Sequence, residues 1–164
     1  MDLLVAEPCM RVVVAGTFGP LHDGHRFLFE HALRFGADGV VVALTSDDLA
    51  TETRHEPRPI PSFDERVAAV TDAISDLDKW DRDVEIRRLE TEPGIAATDP
   101  AIDALVVSPE TAPELEDIND QRRAHGLEPL SGIVAPYVYA DDGERISSTR
   151  IVNGEIDEHG RVLE

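Results

Sequence analysis

The stretch that most restricts what this chain can become runs from Val12 to His25. Val12-Val13-Val14-Ala15 is an uninterrupted apolar run of strand length. Gly16-Thr17-Phe18-Gly19-Pro20-Leu21-His22-Asp23-Gly24-His25 breaks it, and Leu28, Ala32 and Phe35 then recur at helical spacing. A strand that is apolar at every position has both faces covered, as in a parallel sheet. The break is therefore predicted to be the loop from a first buried strand into a first helix over about 24–35, closed by Gly36. Open α/β sheets bind their ligands at such loops.

His22 lies in this loop and His25 in the first helical turn, a spacing of three that keeps two side chains on nearly the same face. Gly24 puts no side chain between them. The backbone N–H groups of a helix start carry partial positive charge. Two imidazoles beside such a start predict a site for a phosphate chain.

The decad Gly16 to His25 resembles the His-x-Gly-His signature of the nucleotidyltransferase superfamily, whose members move a nucleotidyl group from a nucleoside triphosphate to an anionic acceptor and release pyrophosphate. A second signature belongs near the C-terminus in that superfamily, and Ile146-Ser147-Ser148-Thr149-Arg150-Ile151 fits it. From about Arg11 to about Arg161 the chain is similar to the archaeal phosphopantetheine adenylyltransferases, including Val107-Ser108-Pro109-Glu110-Thr111 and Gly154-Glu155-Ile156-Asp157-Glu158-His159-Gly160. The resemblance implies transfer of an adenylyl group from ATP, carried with Mg2+, to 4'-phosphopantetheine, a late step of coenzyme A biosynthesis that yields dephospho-coenzyme A and pyrophosphate.

By the same resemblance His22 and His25 are the catalytic residues, and Thr17, Phe18, Ser147, Ser148, Thr149 and Arg150 bind the phosphates of ATP. Ser108 and Glu110 lie on the nucleotide side, and Thr17, Arg54 and Arg58 meet the acceptor phosphate. Arg66 and Asn119 match residues usual in the family, although an exposed helix arginine would explain Arg66 equally well. One departure stands out: members usually carry aspartate where Gly19 stands. Two other readings remain open. The acceptor is a different phosphate compound (nicotinamide mononucleotide, flavin mononucleotide or glycerol 3-phosphate), or the chain binds nucleotide without turnover.

At 164 residues the chain is long enough for one domain, with a core over about 11–161 and no need of disulfides or a structural metal. Acidic residues number 34 against 15 basic ones, a net charge of -19, and Lys79 is the only lysine. Acids spread along the whole chain fit a protein working in concentrated salt, where counterions screen self-repulsion, and make nucleic acid a poor partner. An anionic substrate must then be met by local positive charge. Cys9 is alone, which excludes an intramolecular disulfide and a thiolate metal set. Met1 to Met10 carries acids where a secretion signal has a basic region, and no apolar run approaches the roughly 20 residues of a membrane span. A cytoplasmic protein is expected; the sequence leaves open whether it forms a homo-oligomer.

Further along, Val40 to Leu44 predicts a second strand buried on both faces, and Asp48 to Pro61 a loop carrying Arg54, His55 and Arg58 toward the ligand. Ser62-Phe63-Asp64-Glu65 has the form of a capping box. Phe63, Val67, Val70, Ile74 and Leu77 continue it as a helix. Val84 and Ile86 alternate with charged residues, as on an edge strand. Glu92 to Pro100 reads as a loop and Leu105-Val106-Val107 as a short buried strand. Thr111 with Glu114 reads as a second capping box, opening a helix whose core face holds Leu115 and Ile118 and which Gly126 ends. Ile133-Val134 and Tyr137-Val138-Tyr139 frame a fifth strand interrupted by Pro136, and Ser147-Ser148-Thr149 opens a short helix after a turn at Asp141-Asp142-Gly143.

The expected architecture is a Rossmann-like α/β fold: an open, parallel, five-stranded sheet of order 3-2-1-4-5 with helices on both faces. Its crevice, between the first and fourth strands, sets Ser108 to Thr111 opposite the histidine loop. His31, His55, His125 and His159 lack metal-ligand spacing. Asp23, Asp47 and Asp48 fall near the proposed site, but triphosphate oxygens supply most ligands of a nucleotide-bound Mg2+, so no residue is assigned as a metal ligand.

Overall fold

The computed structural model describes residues 10–52, 59–91 and 94–163. In chain order the elements are β1 (Arg11–Gly16), α1 (Asp23–Phe35), β2 (Gly39–Thr45), α2 (Asp47–Glu52), α3 (Phe63–Leu77), β3 (Val84–Leu89), α4 (Ile95–Thr98), β4 (Ala104–Val107), α5 (Glu114–Ala124), β5 (Ser131–Val134) and α6 (Ser148–Val152). The strands form one sheet in the order β3-β2-β1-β4-β5, and every pairing is parallel. The expected strand order is the observed one.

Strand alternation divides the core in two. Val12, Val14, Val40, Val42, Leu44, Ala104 and Val106 point to the face covered by α1 and α3, where they meet Phe29, Leu33, Val70 and Ile74. Val13, Val41, Ala43, Leu105 and Val107 point to the other face, against Leu49 of α2, Ala96 of α4 and Ile118 of α5. Successive side chains of a strand leave on opposite faces, so β2, buried at all seven positions, is apolar at all but one. Its polar exception is Thr45 at the C-terminal end.

α3 spans the range its spacing predicts. The Ser62 hydroxyl accepts the Glu65 N–H at 3.2 Å and donates to the Glu65 carboxylate at 3.2 Å. Four expectations need correction. The stretch read as a loop from Asp48 opens with α2, because the Ser46 hydroxyl accepts the Leu49 N–H at 3.1 Å and Leu49 and Ala50 are buried. The loop read over Glu92 to Pro100 contains α4, held by burial of Ala96 and Ala97. Thr111 does not cap a helix: it closes a turn with Ser108, accepting the Ser108 N–H at 3.0 Å, and α5 starts only after Pro113. The fifth strand stops at Val134, and from the stretch after Pro136 Tyr139 forms an isolated antiparallel bridge with Arg145 instead of extending the sheet. Proline has no N–H to continue a ladder.

Among the described residues no helix is long and apolar enough to cross a membrane. Asn119 is buried in α5 and mimics a strand partner for Leu130, donating to its carbonyl at 3.1 Å and accepting its N–H at 2.7 Å. This fixes the approach to β5.

Candidate active site

The chain leaves β1 into a loop that doubles back under itself. Phe18 adopts a left-handed backbone, φ 52°, and Gly19-Pro20 is a cis peptide. Phe18 is buried, packed edge-on against Phe29 at 4.9 Å and against the His25 imidazole at 5.2 Å. Its side chain therefore packs against the histidine, which leaves only the residue's main chain for a ligand. A Cβ on Gly16 would lie 3.0 Å from the Phe18 ring, so a side chain there would press on that ring.

His22 is the N-cap of α1, and its Nδ1 accepts the His25 N–H at 3.3 Å. An acceptor Nδ1 places the ring proton on Nε2, the nitrogen that then donates. The two imidazoles stack, with centroids 3.7 Å apart and planes 20° from parallel. Both expected catalytic residues thus form one unit. A Cβ on Gly24 would sit 2.8 Å from His22 Cε1, so the glycine between them gives the ring its seat.

The helix start is less open than its sequence suggests. The Asp23 N–H donates to the Glu158 carbonyl at 3.0 Å and the His25 N–H is taken by His22. Of the N1 to N3 donors that leaves Gly24's for an anion, among the described contacts.

Of the two readings of Arg66, burial removes one. It is not an exposed helix arginine: 1 % of the residue is accessible. Its guanidinium donates to the carbonyls of Thr17 at 3.1 Å, Thr45 at 2.8 Å and Pro61 at 2.9 Å, and pairs with Asp47 at 2.9 Å. It ties the ends of β1 and β2 to α2 and α3. The Thr45 hydroxyl donates to that of Thr17 at 3.0 Å, so Thr17 is fixed from two sides. A Cβ on Gly19 would lie 2.8 Å from Arg66 Cδ and 3.2 Å from Pro61 Cδ. The room an aspartate would need is filled by the stem of Arg66.

The second signature meets the first. The Ser148 hydroxyl donates to the Pro20 carbonyl at 2.7 Å across 128 positions of sequence. Ser147 caps α6 by accepting the Arg150 N–H at 3.3 Å. Thr149 follows in the first turn. Arg150 is turned onto the protein itself: it pairs with Asp142 and, at 3.3 Å, with Glu155, and donates to the Arg145 carbonyl at 3.0 Å. These contacts raise its pKa, the Asp142 hydrogen bond most, against the opposing effect of desolvation. Glu110 pairs with Arg145, whose guanidinium also lies 5.2 Å from the Tyr137 ring centre. Ser108 is occupied by its turn with Thr111, next to β1 across the sheet. Arg54 and Arg58 lie outside the described residues.

The carboxylates considered for Mg2+ do not assemble. Asp23 is committed to Arg26 and His159, and Asp47 to Arg66. Among the described residues no group of three or more metal-ligating side chains occurs.

A family model described as cytidylyltransferase-like matches residues 13–154, a span that takes in both signatures. The chain belongs to that family. Within this cytidylyltransferase-like group, the phosphopantetheine adenylyltransferase of Methanopyrus kandleri is 44% identical over 148 residues, covering 90% of this chain and 91% of its own. That of Methanosarcina acetivorans is 39% identical over 153 residues, covering 93% and 95%. A protein of unknown function from Archaeoglobus fulgidus superposes with a TM-score of 0.66 at 29% identity, covering 76% of this chain and 88% of that one.

Proposed function

We propose that the chain transfers the adenylyl group of ATP to 4'-phosphopantetheine, giving dephospho-coenzyme A and pyrophosphate. The observation that carries this reading is the kinship over about nine-tenths of both chains with a phosphopantetheine adenylyltransferase. Its chemistry fits a site where stacked imidazoles at one helix start are joined to the hydroxyls of another.

An oxygen of the acceptor's phosphate monoester attacks the α-phosphorus of ATP in line. The bond from the α-phosphorus to the bridging oxygen breaks, and pyrophosphate leaves with the electron pair. The monoester is already anionic near neutral pH, so no side chain has to remove its proton. Catalysis reduces to positioning and charge stabilisation. In this reading His22, through Nε2–H, and His25 donate to the α-phosphate oxygens. Thr17, held by Thr45 and Arg66, positions the two reacting phosphates. Ser147, Ser148 and Thr149 receive the leaving pyrophosphate, and its β- and γ-phosphates displace Asp142 and Glu155 from Arg150. Ser108 and Glu110 line the nucleotide side, and Arg54 and Arg58 reach the acceptor phosphate. Mg2+ arrives with ATP and screens the triphosphate charge. The acidic surface and the archaeal relatives support an enzyme of archaeal type that works in the concentrated salt of a cytoplasm.

Pyrophosphate release from ATP and Mg2+ in molar potassium chloride, with 4'-phosphopantetheine, nicotinamide mononucleotide, flavin mononucleotide or glycerol 3-phosphate as acceptor, tests the reading. Turnover is expected with the first alone. Turnover with a different acceptor, or with none, overturns it.

A further inference from the structure

We propose that Glu158 is a positioning residue for the transfer, holding the first turn of α1, and with it the His22–His25 stack, in place against the start of α6. The proposal rests on the adenylyl-transfer reading above. Glu158 grips α1 twice. Its carbonyl accepts the Asp23 N–H at 3.0 Å, and its carboxylate pairs with Arg26 at 2.9 Å. Arg26 in turn reaches Asp23 at 3.1 Å, and His159 Nδ1 lies 3.0 Å from the same carboxylate. Main-chain and side-chain contacts from one residue therefore bracket the helical turn that begins at the cap His22.

The turn that carries Glu158 is itself rigidly built. The Asp157 carboxylate accepts the N–H groups of His159 and Arg161, both at 2.9 Å, and the Gly160 N–H donates to the Asp157 carbonyl at 3.1 Å. Gly160 has φ 83°, and a Cβ there would lie 2.8 Å from Ala140 Cα and from Ile146 Cδ1. The far side of the turn thus rests on Ile146, the residue before Ser147. One short turn touches the approach to each signature.

The stack follows a loop that carries a left-handed Phe18, and the contacts of Glu158 brace the turn on which it stands. Side chains of Glu158 and Arg26 are 49% and 28% exposed. Ion pairs this open add little to stability, so their loss registers in the geometry of the histidines rather than in melting. A misplacement of about 1 Å lowers a rate on the order of 100-fold.

The test compares Glu158→Ala, Glu158→Gln and, as a control, Asp120→Asn, which breaks the exposed Asp120–Arg123 pair on α5 (3.2 Å). Steady-state kinetics and the imidazole carbon–proton NMR resonances are read together. In Glu158→Ala, which keeps the main-chain bond and loses the ion pair, kcat is expected to fall about three- to fivefold, with KM for both substrates within about twofold. The resonances of His22 and His25 move and those of His31 and His125 stay. Glu158→Gln, which still accepts from Arg26, recovers most of both, and Asp120→Asn changes neither. A Glu158→Ala protein with unchanged His22 and His25 resonances, or with kcat within twofold of the parent, overturns the proposal, as does a rise in KM alone. Should the parent transfer nothing to any acceptor, the function reading falls by itself and the resonances alone decide whether Glu158 positions the stack.

Discussion

Single side chains decide this site in two ways, by what they donate and by the space they leave. A hydrogen-bond donor aimed at charge that develops in the transition state contributes about 3 kcal/mol, roughly a hundredfold in rate. His25→Ala should therefore lower kcat by about that factor without unfolding the protein, as steady-state rates beside a melting curve will register. Gly19 acts by its space. Asp at this position would drive a Cβ into the stem of Arg66 at 2.8 Å, and Arg66 is pinned by carbonyls on three segments and cannot yield. Overpacking of this kind costs about 1–3 kcal/mol. Gly19→Asp is expected to lower the melting temperature and not to raise activity, a thermal scan and a rate assay giving the answer. The histidines and the hydroxyls of Ser147 to Thr149 were legible because their spacing is local. The sequence left Arg66 open between a family residue and an exposed helix arginine, because an arginine flanked by Glu65 and Val67 on a helix gives no sign that three main-chain carbonyls converge on it. Arg122 hides in the same way: it is buried and donates to the carbonyls of Glu128, Ala96, Asp99 and Ile102.

The elements were legible where a pattern runs on, as in the helical period of α3 and the apolar run Val40 to Leu44 of β2, and illegible where one turn of helix is held by tertiary burial, as in α2 and α4. The contact between the two signatures was not legible either, since no local pattern says that Ser148 reaches Pro20. At this scale the Asp157–Gly160 turn makes its own prediction. The Arg161 N–H bond most of all, helped by the His159 N–H against some desolvation, holds the Asp157 carboxyl below its usual range. A carboxyl whose pKa is lower folded than unfolded stabilises the fold above the unfolded value, about 3.9, and ceases to do so as pH falls through the folded one. Asp157→Asn should accordingly melt below the parent at pH 7. The gap should close as the pH is taken well below 3.9, which paired melting curves across that range will reveal.

For the whole molecule, a net charge of -19 on 164 residues places like charges within reach of one another over most of the surface. The screening length falls from about 10 Å at 0.1 M salt to about 3 Å at 1 M. Melting temperature and turnover are therefore expected to climb from dilute buffer toward molar potassium chloride, and a maximum in dilute buffer would contradict this. The bond from Ser148 to Pro20 has a last consequence, in time rather than in space. It closes a span of 128 positions, and distant closures are late events because the chain between must first be ordered. The histidine loop leaves the ribosome early and then waits for α6 to be made and docked. Trp80 is half-buried against the core that α1 and α3 cover, and a refolding chain should seat it there before it recovers transfer, so fluorescence should return ahead of activity.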